Sequence, residues 1–312
     1  MNIPIIIVHR GYTFYLKPVL KQIRLFNPDN RICLISDKST DVFDFVEHYD
    51  INQYSEGLNS FAKVYLHLSS NLYNYELFCF QRWFIIRDFV RVHKLDYFLC
   101  LDSDVLLFCN VDKAYSPYLK YDFTISTAGM PHCSMFNKNS IEAVCDYMMS
   151  LYTNESNLVR LKDFYQMFLD KKELGGVCDM TALLWYQRDI SNNVINISKP
   201  MAGSSFDNHI GLLEGYESDG DKKKVYWIDN LPYGRLTIDQ SLIRFNCLHL
   251  QGRSKYSIFK YVVDENKVHH SGFWYNLKWS LSKEILGARL KGIKKAIQNP
   301  RMVVNFVKAK LK

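Results

Sequence analysis

The residues best suited to chemistry are Asp102 and Asp104, two carboxylates separated by Ser103 within YFLCLDSDVLLF, residues 97–108. Tyr97 to Leu101 form an apolar run before the pair, and Val105 to Phe108 form another after it. A short apolar run bounded by polar residues reads as a strand buried on both faces. Two acids at its end repel each other, and burial without a partner would drive one of them to keep its proton. A divalent cation removes that conflict, because carboxylates are hard oxygen ligands suited to magnesium, manganese or calcium. A pair of solvated loop acids is the plain alternative.

A second constellation follows the apolar run 246–250, where His249, Gly252 and Lys255 recur at intervals of three with Arg253 among them. A neutral imidazole can ligate a metal, a glycine lets backbone approach a phosphate, and a lysine supplies a point charge to it. With Asp102 and Asp104 these residues would complete a metal–diphosphate site. Taken alone, His249 reads as a core or loop histidine.

The elements that must carry these groups are legible as apolar runs. Residues 3–8 predict a buried first strand ending in His9-Arg10-Gly11. A helix over 14–26 stops at Asn27-Pro28-Asp29-Asn30, and a strand over 31–35 ends in Ser36-Asp37. This strand–helix–strand opening is a unit of an open parallel sheet, in which ligands sit beyond the carboxyl ends of the strands. No GxGxxG is present, so His9, Arg10 and Asp37 are candidates for base and ribose contacts, or else ordinary loop residues. Residues 60–94 read as helical throughout, with one long helix near 75–94. Arg82 lies there in the apolar setting FQRW, where a guanidinium seeks an anion. A phosphate, Asp88 or Glu76 would serve.

Further on, 121–126 reads as a strand, 127–140 as a binding loop, and 141–151 and 158–172 as helices. Asp179, after Gly175-Gly176, stands where the N-cap of a helix over 180–188 would be. A strand over 191–197, a polar loop region over 203–224 and short strands over 225–228 and 246–250 complete the body.

The 312 residues suffice for a large core, and 48% hydrophobic with 15% aromatic content excludes a disordered chain. No apolar run approaches the roughly 20 residues of a membrane-spanning helix, and the opening residues do not read as a signal peptide. Eight cysteines lack CxxC spacing and read as reduced core residues of a cytoplasmic protein. The formal charge of +7 is uneven. Residues 283–312 hold nine Lys or Arg against Glu284, a net +8, so residues 1–282 carry about −1. That argues against a nucleic-acid surface on the body. In the tail Leu286, Leu290, Ile293 and Ile297, then Val303, Val307 and Leu311, fall at helical spacing among lysines. Such a basic amphipathic segment suits an anionic membrane surface, or its stripe packs on the body.

An N-terminal nucleotide-binding half, a strand ending in DxD and a late HxxGxxK together resemble a GT-A-fold, metal-dependent glycosyltransferase. The spacing of His249, Gly252 and Lys255 is similar to that of glycosyltransferase family 8. The resemblance covers roughly residues 1–260. It implies an α/β, Rossmann-like nucleotide-diphospho-sugar transferase fold with a mixed sheet flanked by helices. Asp102, Asp104 and His249 would hold Mn2+ or Mg2+, with Asp102, Gly252 and Lys255 toward the diphosphate of a nucleotide-sugar, by resemblance a UDP-sugar. Arg82 joins the donor-binding set. Family 8 members usually carry Asp-Gln at the helix that meets the donor sugar, whereas here Met180 follows Asp179, and Asp239-Gln240 lies too near His249. Tyr256 stands where a tryptophan often follows the family's lysine. Gly175-Gly176 followed by Asp179 also resembles the segment supplying the base in inverting GT-A enzymes. Asp179 is therefore the candidate catalytic residue, as a base if the enzyme inverts and as an orienting group if it retains.

These readings predict a transferase domain over 1–272, with a nucleotide-binding half near 1–110 and an acceptor half over 111–272, and a helical tail over 273–312. The expected acceptor is a glycan or lipid-linked glycan in surface polysaccharide or lipopolysaccharide synthesis, at the inner face of a membrane. A nucleotidyltransferase or sugar-nucleotide hydrolase would need a Gly-rich triphosphate loop, for which His9-Arg10-Gly11 is thin. A non-catalytic glycan binder is the other alternative.

Overall fold

The computed structural model describes residues 2–11, 13–37 and 43–263. The tail 273–312 and its stripe lie outside the described residues. β1 (Ile5–His9), α1 (Leu16–Phe26), β2 (Ile32–Ser36) and β3 (Glu47–Asp50) open the chain. β1 and β2 are aliphatic throughout and buried on both faces, as interior parallel strands must be. α2 (Glu56–Val64) and α3 (Tyr73–His93) follow. The helix expected from residue 60 onward is therefore broken. Tyr65 turns extended, and the Ser70 amide bonds the Gly175 carbonyl at 2.9 Å. That partner lies far along the chain, so the local apolar pattern does not reveal the break.

β4 (Tyr97–Leu101), β5 (Val105–Leu107), α4 (Val111–Tyr115), β6 (Phe123–Ile125), β7 (Cys133–Asn137), α5 (Lys138–Thr153), α6 (Glu155–Lys171) and α7 (Asp179–Asp189) form the middle of the chain. β8 (Val194–Asn196), β9 (Ser204–Phe206), β10 (Ser218–Asp219), β11 (Lys222–Lys223), β12 (Tyr226–Ile228), β13 (Leu231–Arg235) and β14 (Leu242–His249) come next, and a 3-10 helix, Gly252–Lys260, ends the described chain. The main sheet runs β3-β2-β1-β4-β7-β6-β8. β7 is antiparallel to both β4 and β6, whereas the β1, β2, β3 and β4 pairings are parallel. This is the mixed sheet flanked by helices, of α/β class, that the resemblance implies.

Strand alternation divides the core in two. Ile6 faces a cluster built on α3, α5 and α7, while Ile5 and Ile7 face one containing α1, β5 and β14. A smaller sheet, β12-β13-β14-β5 with β9 beside β14, covers that second face.

Three expectations change. Residues 127–140 are not all loop, because 133–137 is the antiparallel partner of β4. The polar stretch 203–224 contains three short strands, and β14 begins at Leu242. Cys178, not Asp179, occupies the N-cap of α7, and Asp179 is its first helical residue. The hairpin of β12 and β13 turns on Asp229 and Asn230, both at positive φ, a two-residue connection suited to strand twist. None of the eight cysteines is bonded to another. Among the described residues no helix is long and apolar enough to cross a membrane.

Candidate metal centre

The two constellations meet because β5 and β14 pair in register. His249 lies opposite Val105, and the Leu250 amide donates to the Asp104 carbonyl at 3.0 Å. On the other side the Asp102 amide donates to the His132 carbonyl at 2.8 Å. The turn between β4 and β5 is thus tied to a strand on each side. One ligand atom each from Asp102, Asp104 and His249 then lies within 4.8 Å of the others.

His249 is placed as a metal-ligating histidine would be. Its Nδ1–H donates to the Asn208 carbonyl at 2.7 Å, which turns Nε2, the nitrogen that would ligate a metal, toward Asp104 Oδ1 at 3.6 Å. A ligating histidine commonly commits its second nitrogen in this way, which fixes the tautomer and the ring. Two carboxylate oxygens and one such nitrogen fit Mn2+ or Mg2+.

Cations already surround the carboxylates. Lys255 Nζ lies 3.0 Å from Asp104 Oδ2. Burial alone would raise the Asp104 carboxyl, but the His249 and Lys255 charges outweigh it and hold the group below its usual value. Arg82 bridges two acids, with Nη1 at 2.6 Å from Asp102 Oδ1 and Nη2 at 2.7 Å from Asp179 Oδ2. Its partners are therefore neither Asp88 nor Glu76. The fork geometry of a guanidinium permits this double engagement. Asp179 is pinned further by Trp83 Nε1–H on Oδ2 at 3.0 Å and by the Met180 amide on Oδ1 at 3.0 Å.

His9, at the end of β1, pairs through Nδ1 with the Ser103 hydroxyl at 3.0 Å and so reaches the turn between the two aspartates. Burial lowers its pKa and leaves it neutral. Asp37, beyond β2, accepts the Gly11 amide at 2.8 Å, and the Arg10 guanidinium lies 4.1 Å from the centre of the Phe78 ring. These three residues thus stand at the carboxyl ends of adjacent parallel strands. Gly252 takes φ +61, and no heavy atom beyond its chain neighbours lies within 4 Å of where a Cβ would be. Its requirement is the backbone turn that launches the helix carrying Lys255.

No protein-family model and no curated protein matches the chain. Solved structures do. Mouse xyloside xylosyltransferase 1 is similar at 9% identity over 64% of this chain and 85% of its own, with a TM-score of 0.47. The galactosyltransferase LgtC, solved with donor and acceptor sugar analogues, is similar at 11% identity over 91% of this chain and 99% of its own, with a TM-score of 0.43. The bifunctional glycosyltransferase WbbM shares 12% identity over 67% of this chain and 40% of its own, with a TM-score of 0.40.

Sequence reasoning missed the groups that hold His249 in place. Asp207 Oδ2 accepts the His249 amide at 3.0 Å, and its Oδ1 takes Lys223 Nζ at 2.7 Å. Lys223 also meets Glu214 at 2.6 Å, with its own side chain only 1% exposed. The His132 ring stacks on His249 at 4.1 Å and 12°, and its Nε2–H donates to the Asp207 carbonyl at 2.9 Å. Burial keeps His132 neutral, far below its ordinary pKa. All of these lie in stretches read as loop. The one local signal was the polar run Asp207-Asn208-His209 just after Phe206.

Proposed function

We propose that this protein is a metal-dependent glycosyltransferase that moves a sugar from a nucleotide-sugar, of UDP type, to a glycan or lipid-linked acceptor. The observation carrying this reading is the convergence of Asp102, Asp104 and His249 within 4.8 Å, beside Lys255 and at the carboxyl end of a parallel strand. When bound to those three ligands, a divalent cation would offset the charge that develops on the departing diphosphate.

The chain's own residues do the rest. Lys255 and the backbone at Gly252 bind the diphosphate, while His9, Arg10 and Asp37 face the nucleoside. Arg82 holds Asp102 and Asp179 in one row. A general base needs a free lone pair aimed at the acceptor hydroxyl. Both oxygens of Asp179 already accept hydrogen bonds, and its side chain is only 5% exposed. That favours Asp179 as a group that orients the donor sugar over one that takes the acceptor's proton. The basic tail supports a lipid-linked acceptor in surface polysaccharide or lipopolysaccharide synthesis, with the enzyme at the cytoplasmic face of a membrane.

A thermal-shift panel with UDP, GDP and CMP, each with and without Mn2+, tests the proposal on wild type and Asp104→Asn. One nucleotide should stabilise wild type only when Mn2+ is present, and the variant should lose that shift. No shift with any nucleotide would sink the transferase reading.

A further inference from the structure

Lys255 has a flexible stem and a compact charge, and it rests on a carboxylate that the proposed function assigns to a metal. Asp104 divides its two oxygens, Oδ1 toward His249 Nε2 at 3.6 Å and Oδ2 to Lys255 Nζ at 3.0 Å. A divalent cation at Asp104 would therefore meet a like charge a few ångströms away, and the two repel. Arg82 cannot relieve the repulsion by moving, because it is held by two carboxylates at once and is largely buried. Lys255 can move. Its side chain is 30% exposed, it sits on the short helix that follows Gly252, and besides Asp104 it faces the Tyr15 ring, at 5.2 Å.

We infer that Lys255 exchanges partners, from Asp104 in the free protein to the donor diphosphate in the complex, so that metal and nucleotide each require the other to bind tightly. The inference rests on the metal-site reading above and adds to it the order of events within the site. Without nucleotide, Lys255 competes with the cation for Asp104. A diphosphate brings negative charge that both cations can share, and the competition ends. By linkage, whatever factor nucleotide adds to metal affinity, metal must add to nucleotide affinity.

The distinctive consequence is a change of sign. Removing a positively charged residue ordinarily weakens a phosphate site, and Lys255→Met should do so for UDP. The same change should tighten Mn2+ in the absence of nucleotide. Calorimetric titration of Mn2+ into the full chain, with no nucleotide and again with saturating UDP, reads both effects without any assay of turnover. Wild type should bind Mn2+ roughly tenfold more tightly with UDP than without it. Lys255→Met should bind Mn2+ alone roughly fivefold more tightly than wild type does, with the gain from UDP reduced toward none. Lys255→Gln serves as the second variant should methionine disturb local packing.

Mn2+ affinity without nucleotide that is equal in wild type and both variants, or weaker in the variants, overturns the exchange and leaves the metal site standing. Mn2+ that binds neither wild type nor variant, or binds wild type and Asp104→Asn alike, removes the metal-site reading and the exchange with it.

Discussion

Arg82 shows how much one side chain can settle at this site. It lies between Asp102, which follows β4, and Asp179, which opens α7, and gives each a separate nitrogen. Burial opposes its charge, yet the two carboxylates outweigh burial and raise its pKa well above the ordinary value. Lysine could keep the charge but not the fork. Arg82→Lys should therefore fold, lose about 1–3 kcal/mol in urea denaturation through a carboxylate left unmatched, and show a smaller metal-dependent nucleotide shift. Unchanged stability with an unchanged shift would show that the bridge contributes to neither. His249 makes a complementary point, since the orientation of its ring depends on a backbone carbonyl, that of Asn208, which holds Nδ1 and turns Nε2 toward Asp104.

At the level of elements, the β5–β14 pairing delivers His249 to Asp104, and a buried charge cluster beneath it holds the connection in place. Asp207 binds the His249 amide with one oxygen and Lys223 with the other, while β11 carries Lys223 and the connection between β9 and β10 carries Glu214. Removing one partner of so deeply buried a pair leaves an uncompensated charge, so Lys223→Met should cost about 3–5 kcal/mol in urea denaturation. Burial pushes the Lys223 pKa down, but Asp207 and Glu214 outweigh it and raise the group above its ordinary value of 10.5. The cluster's stabilisation is then complete below pH 10.5 and is lost as pH rises through the raised value. Stability curves of wild type and Lys223→Met should converge in strong alkali, and parallel curves up to pH 12 would contradict that assignment.

At the scale of the whole molecule, charge is divided between a near-neutral body and a basic tail, residues 283–312. Each Lys or Arg near an anionic lipid surface contributes about 1 kcal/mol, so nine of them could retain the chain at such a surface. Pelleting with phosphatidylglycerol vesicles should carry down the full chain and leave a 1–280 truncation in the supernatant. Equal recovery of both in the supernatant would remove the membrane role. High salt should release the full chain, since such attraction is screened.

Apolar runs and their polar ends were readable in the sequence because strand and motif are local properties. Residues 97–101, Asp102, Asp104 and the His249–Lys255 spacing therefore stood out without any structure, as did the parallel opening of the sheet. What decides how those residues work was not local. Arg82 meets Asp179 at a separation of 97 residues, and His249 meets Asn208 at 41. The lysine that supports His249 lies in a polar stretch with no strand-like pattern. Only the folded chain assigns each charge its partner, because the energy of a buried charge depends on what surrounds it in space and not on what adjoins it in sequence.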